Sequence, residues 1–165
     1  MSALDDAALR LLAERAGSVL LERRRRVVVA ESCTGGWVAK CLTDIPGSSQ
    51  WFERGFVTYS NAAKEQSLGV AASVLGTFGA VSRPAAEQMA AGALHQSDAA
   101  LAIAITGIAG PDGGSPEKPV GLVYFGLARK DGSAHVVQKN LSQVRETFKY
   151  MASQIALDLV RRALI

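Results

Sequence analysis

Apolar residues recur at helical spacing through Leu4, Ala8, Leu11, Leu12, Ala16, Val19 and Leu20, then give way to the basic run Arg23 to Arg26. That period predicts an amphipathic helix over Leu4 to Arg23. The next four positions, Val27 to Ala30, are apolar without a break and mostly β-branched, as in a short strand buried on both faces. This strand runs into the polar, glycine-rich turn Glu31-Ser32-Cys33-Thr34-Gly35-Gly36, and a helix follows from about Trp37 to Leu42. Phe52 to Tyr59 reads as a second strand and Asn61 to Leu68 as a short helix. In Val81-Ser82-Arg83-Pro84 a hydroxyl cap precedes an early proline, which opens a helix extending to about His95. Ala99 to Thr106 is a third buried strand, breaking into a long loop of glycine and proline from Gly107 to Pro116. Val120 to Ala128 and Ala134 to Leu141 flank the turn Lys130-Asp131-Gly132 and so form an antiparallel hairpin. A final helix, Val144 to Ala163, carries the apolar stripe Phe148, Met151, Ile155 and Leu159.

Alternating strands and helices predict an α/β fold in which loops leave the C-terminal ends of the first three strands, after Ala30, at Tyr59 and after Thr106. Ligands of open α/β sheets sit beyond those ends, where this chain places its polar and glycine-rich segments. A loop as long as the one after Thr106 usually serves binding or catalysis.

Composition narrows the class. The 165 residues suit a single domain over 1–165, and 48% hydrophobic residues with 16 Gly and 5 Pro describe a globular chain. No apolar run approaches the roughly 18 residues of a membrane span, and the acidic start at Asp5 and Asp6 does not resemble a secretory leader. A cytoplasmic protein without a membrane partner is expected. The net charge of +3 is too small to call for a nucleic acid, although it suits a small anionic ligand. The arginine run reads either as cations complementing a helix C-terminus or as a basic patch. Two cysteines, Cys33 and Cys41, provide neither a disulfide framework nor a zinc site, so both are expected as thiols and no metal is expected.

The turn after the first strand can hold an anion on its amides and hydroxyls, or Ser32 and Thr34 can simply cap the helix. It matches neither a phosphate-binding Walker loop nor a Gly-x-Ser-x-Gly elbow. A serine nucleophile there needs a base. His95 and His135 lie in a helix and in the last strand, where structural or surface roles are expected. Lys64 is the alternative: near a helix start its ammonium is disfavoured by the dipole, and burial would add to that, whereas an ordinary lysine is solvated. Tyr59 can bridge a serine and a lysine through its hydroxyl or pack its ring. Cys33 is a rival nucleophile or a small buried hydrophobe. Trp37 and Trp51 suit ring stacking or core packing.

Several ordered strings together closely resemble the CinA C-terminal domain family, along about residues 5 to 163. They are Ala30-Glu31-Ser32-Cys33-Thr34-Gly35-Gly36, Pro46-Gly47-Ser48-Ser49, Gly55-Phe56-Val57-Thr58-Tyr59-Ser60-Asn61 with Lys64, Gly79-Ala80-Val81-Ser82, Thr106 to Gly114, and Lys118-Pro119-Val120-Gly121. The resemblance implies a three-layer α/β/α domain with a mixed five-stranded sheet, one strand antiparallel. It implies the stand-alone form, without the molybdenum-cofactor-type domain of larger members. The implied activity is hydrolysis of the carboxamide of nicotinamide mononucleotide to nicotinate mononucleotide and ammonia, with no cofactor, in a homodimer. By the same resemblance Ser32 matches the nucleophile, Lys64 the base and Tyr59 an assisting residue. Thr34, Gly35 and Gly36 match a substrate-cradling loop, and Thr106 and Gly107 a second one.

The C-terminal segment departs from the family pattern. Gln143-Val144-Arg145 stands where Gly-Asp-Arg is common, and Lys149 where a further arginine is common. Arg145 retains a planar fork able to hold two phosphate oxygens, while Lys149 offers a point charge. Two other functions fit the same residues: a non-catalytic nucleotide-binding module in a competence or DNA-damage response, and hydrolysis of a different small amide. Ammonia release, and from which substrate, separates them.

Overall fold

The computed structural model describes residues 5–164, so Leu4, the expected first residue of the opening helix, lies outside the described part. Helix α1 (Asp6–Glu22) starts where the Asp5 side chain accepts a hydrogen bond from the Ala7 amide at 3.0 Å. It buries Leu9, Ala13, Ala16, Gly17 and Leu20, one face of a 3.6-residue period. The arginine run lies beyond the helix, in the turn entering β1 (Val27–Glu31), with Arg26 donating to the Ser49 carbonyl.

The remaining elements are α2 (Trp37–Thr43), β2 (Phe52–Val57), α3 (Asn61–Leu68), α4 (Ala72–Phe78), α5 (Arg83–His95), β3 (Leu101–Gly107), β4 (Leu122–Arg129), β5 (Ala134–Asn140) and α6 (Arg145–Arg162). A short 3-10 turn at Ser48–Gln50 leads into β2. The hydrophobic pattern predicts every one of these but α4 and the 3-10 turn. Helix α4 buries only Leu75 and contains Gly76, so it leaves no helical period to read.

The strands form one sheet in the order β2-β1-β3-β4-β5. β1 pairs in parallel with β2 and β3, while β4 pairs antiparallel with β3 and β5. One strand of five, β4, therefore runs against the rest, as expected. The chain leaves β1 through α2 to reach β2 on one side, then crosses back through α3, α4 and α5 to β3 on the other. The boundary between β1 and β3 is thus a topological switch point, with a crevice beyond the strand ends.

The two faces of the sheet are built from different residues. Toward α1, α2 and α6 point Val27, Val29, Leu101, Ile103, Ile105, Val123, Phe125 and Leu127, packed with Leu20, Leu42, Phe148 and Leu157. Toward α3, α4 and α5 point Val28, Ala30, Ala102, Ala104 and Ala128. The small residues let α5 lie close to the sheet: a Cβ at Gly126 would stand 2.3 Å from the Ala86 carbonyl oxygen. Gly126→Ala is therefore expected to destabilise the fold by about 1–3 kcal/mol through overpacking, read as a lower urea midpoint.

Candidate active site

Ser32 directly follows β1. Its amide donates to the Ile105 carbonyl of β3 at 3.0 Å, and its carbonyl accepts from the Gly35 amide at 3.0 Å. This tight reversal requires left-handed backbone at Gly35 (φ 62°) and Gly36 (φ 96°), which glycine adopts without steric cost. The chain then enters α2.

The first turn of α2 is not open to a ligand. Glu31, fully buried, accepts from the Val38 and Ala39 amides, each at 3.0 Å, and from the Thr34 hydroxyl at 2.6 Å. The anion at this helix start is the protein's own carboxylate. Glu31 reads in the sequence simply as the first residue of the polar turn, whereas it is the last residue of β1. Its signal is that a carboxylate closes a buried apolar run immediately before a glycine turn into a helix.

Lys64 reaches the same place from α3. The Thr58 amide bonds to the Glu31 carbonyl at 2.8 Å, extending the β1–β2 pairing by one residue. Ser60 then caps α3, its hydroxyl accepting from the Ala63 amide at 3.0 Å. This sharp entry turns the fourth helical residue back toward the strand end. Lys64 Nζ lies 2.7 Å from the Thr58 carbonyl oxygen and 3.0 Å from Ser32 Oγ. Only 2% of Lys64 is exposed, and both of these partners are uncharged. Burial pulls its pKa below the ordinary 10.5, opposed by the smaller influence of Cys33. A neutral amine there donates to Thr58 and leaves its lone pair for the Ser32 hydroxyl proton. The Thr58 carbonyl is thus a positioning group, legible only once α3 is seen to fold back.

A cavity of about 270 Å³ lies over Ser32, lined also by Tyr59, Gly107, Gly110, Asp112 and Arg145. That is near the lower end of small-molecule sites, which run from roughly 300 to 1,000 Å³. Gly107 is held tightly against the core on its other side: a Cβ there would stand 2.9 Å from Phe148, Val123 and the Leu122 carbonyl. Tyr59 is exposed, and its hydroxyl accepts from Arg145 Nη2 at 3.0 Å. Arg145, the first residue of α6, also donates through Nη1 to the Gly110 carbonyl at 2.7 Å, joining the long loop to the end of β2.

The structure therefore brings Ser32, Lys64, Tyr59, Gly107 and Arg145 together. It sets Thr34, Gly35 and Gly36 on the far side of the turn, against a groove of about 580 Å³ that also contains Trp37 and Lys149. Thr106 is buried and donates to the Ala80 carbonyl at 2.8 Å, tying β3 to the loop before α5. Its hydroxyl lies away from the cavity lining.

The rival readings resolve by burial. Cys33 is 4% exposed and its thiol is pushed up to about 12, chiefly by burial, so thiolate chemistry at neutral pH is disfavoured. Iodoacetamide at pH 8 is expected to leave Cys33 unmodified in the folded protein, and rapid alkylation, seen by peptide mass, would contradict this. His95 and His135 are exposed, at the end of α5 and on the outer strand β5. Trp51 packs against Gly17, and Trp37 lies edge-on to Tyr150 with ring centres 6.1 Å apart. Among the described residues no group of three or more His, Cys, Asp or Glu side chains is placed to hold a metal ion. No described helix is long and apolar enough to cross a membrane.

Known proteins share both the sequence and the fold. The nicotinamide-nucleotide amidohydrolase PncC of Enterobacter agglomerans is 48% identical over 98% of this chain and 99% of its own length. The protein of the same name from Escherichia coli K12 is 51% identical over 94% of both chains. The crystal structure of the competence/damage inducible protein CihA from Agrobacterium tumefaciens superimposes with a TM-score of 0.93, at 44% identity and 99% coverage of both chains. With the CinA C-terminal domain model also matching residues 9–164, the chain belongs to the CinA C-terminal domain family.

Proposed function

We propose that this protein is a nicotinamide-nucleotide amidohydrolase acting on nicotinamide mononucleotide. The observation that carries the reading is the buried Lys64 amine 3.0 Å from Ser32 Oγ, a residue that lines a cavity beyond the switch point. Names of relatives about half identical along nearly the whole chain supply the substrate.

In this mechanism neutral Lys64 takes the Ser32 proton as Oγ attacks the carboxamide carbon. The tetrahedral oxyanion is stabilised by amides of the Cys33–Thr34 turn, since those of Val38 and Ala39 are engaged by Glu31. Lys64 then delivers the proton to the departing ammonia, and water, deprotonated by the same amine, hydrolyses the ester to nicotinate mononucleotide. Gly107 borders the cavity that receives the nucleotide, and Gly35 and Gly36 shape the turn that carries the nucleophile. Thr34 and Thr106 hold the two loops in place. Arg145 takes the phosphate, an assignment supported by its place in the cavity at the start of α6, which lacks a side-chain cap. Tyr59 orients Arg145 and closes the cavity over the ring. Phosphate binding away from the reacting carbon anchors the substrate.

The same reading comprises a single cytoplasmic domain, in a homodimer, without a nucleic-acid or membrane partner. Exposed Val57, Tyr59, Phe78 and Val144 support a self-association surface. The test compares nicotinamide mononucleotide with nicotinamide riboside and nicotinamide as sources of ammonia. The expected result is a kcat/KM at least about 100-fold higher for the phosphorylated substrate, the scale of a charge-assisted phosphate contact. Equal rates for the riboside would remove Arg145 from phosphate recognition. Tight binding of the mononucleotide without ammonia release would instead favour a non-catalytic nucleotide-binding module.

A further inference from the structure

One buried ionisable group adjoins the nucleophile but takes no part in the reaction. Glu31 is fully buried, has no cationic partner among the described residues, and directs its side-chain hydrogen bonds into the turn that follows it and the first turn of α2. Its Oε1 accepts from both the Thr34 hydroxyl and the Val38 amide, and its Oε2 from the Ala39 amide. The carboxylate thus ties the end of β1 to the start of α2 across Ser32, Cys33 and Thr34. No other side chain bonds to the Thr34 hydroxyl; the residue is 1% exposed and does not line the cavity over Ser32.

We propose that Glu31 and Thr34 form a pin that positions the Ser32 nucleophile and the turn amides beside it, with the Thr34 hydroxyl holding the pin and not the substrate. This deepens the amidohydrolase reading and rests on Ser32 being the nucleophile. A hydroxyl 2.6 Å from a buried carboxylate makes a charge-assisted bond, so Thr34 has one orientation and its peptide with it. The amides of Cys33 and Thr34 donate to no backbone carbonyl among the described residues, and Cys33 lines the cavity where the oxyanion would develop. Ser32 is fixed from behind by its amide bond to Ile105 and from the front by this pin. Releasing the front leaves the fold and the mouth of the cavity in place but lets the turn drift. A misplacement of about 1 Å costs roughly 100-fold in rate.

Two readouts test this in the full-length protein: steady-state kinetics on nicotinamide mononucleotide, and the rate at which an alkyl fluorophosphonate labels Ser32, followed by peptide mass. Thr34→Val is expected to lower kcat roughly 10- to 100-fold with KM within about threefold of wild type, and to slow labelling by a similar factor. Thr34→Ser, which keeps the hydroxyl, is expected to recover both to within about threefold of wild type. Glu31→Gln is expected to match Thr34→Val, and the double variant to be no slower than the slower single, because both changes break one unit. Thermal melts confirm that each variant is folded, and Thr34→Val carries the test alone if Glu31→Gln is not.

A raised KM at unchanged kcat in Thr34→Val would overturn the proposal by making Thr34 a substrate contact. So would unchanged labelling, or multiplicative losses in the double variant. Labelling that follows the pin while wild type leaves the mononucleotide intact would reject only the substrate. A wild type that neither turns over nor is labelled would remove the nucleophile and the pin's role together.

Discussion

Ser32→Ala is expected to abolish ammonia release from nicotinamide mononucleotide, by at least about 10⁴-fold in kcat, while the dissociation constant of the nucleotide changes by less than about threefold. The split follows from where Oγ lies. It points at Lys64 Nζ, 3.0 Å away, whereas the phosphate anchor Arg145 is a separate side chain, from the start of α6, that lines the same cavity. Removing one oxygen leaves the backbone of the turn, its anchor on Ile105 and the Glu31 pin intact. Calorimetric titration of the variant beside its turnover rate checks both halves. Retained activity would mean that water attacks directly and that Ser32 is a spectator.

Lys64→Met is the second large effect. Methionine fills much of the lysine stem's volume without the amine, so kcat/KM at neutral pH is expected to fall at least about 100-fold, the scale of a general base. The pH profile carries the sharper signature. Because burial lowers the Lys64 pKa beneath 10.5, wild-type kcat/KM rises with pH as the folded amine loses its proton, on a limb below that value. The residual activity of Lys64→Met lacks that limb.

Stability follows by linkage. Between the lowered folded pKa and 10.5 the unfolded chain binds a proton that the native protein does not, so this group makes stability rise with pH across that window. Below the folded pKa both states are protonated and the cost of burying the ammonium is fully present. Lys64→Met removes that cost, so it is expected to be at least as stable as wild type at neutral pH and to lack the alkaline rise. Urea midpoints of the two proteins across pH check the sign. A less stable variant at neutral pH would mean that the ammonium is well accommodated and that burial does not prepare it as a base.

How much of this was legible in the chain differs by level. Strands β1 and β3 were plain because they are buried on both faces and therefore continuously apolar, and the β4–β5 hairpin because its turn residues separate two apolar runs. Ser32 and Lys64 were paired as nucleophile and base, one on a turn after a buried strand and one near a helix start. Their 3.0 Å approach was not readable, since it depends on α3 folding back after Thr58 across 32 positions of sequence. Tyr59 was a candidate bridge between them, yet its hydroxyl meets Arg145, a partner 86 positions away on the last helix. The family resemblance put Thr34 and Thr106 in two substrate-binding loops, with helix capping as the other reading of Thr34. Both are instead buried and bonded to protein, Thr34 to Glu31 and Thr106 to Ala80. Single residues reveal their chemistry in the sequence, but which partner occupies that chemistry is decided by packing.

The most direct test of the central claim is the reaction itself: purified wild type and Ser32→Ala, side by side, given nicotinamide mononucleotide, with ammonia measured and the nucleotide product resolved by mass. The account predicts equal amounts of ammonia and nicotinate mononucleotide from the wild type and neither from the variant. The same product from both proteins, or bound nucleotide left intact by the wild type, would contradict it.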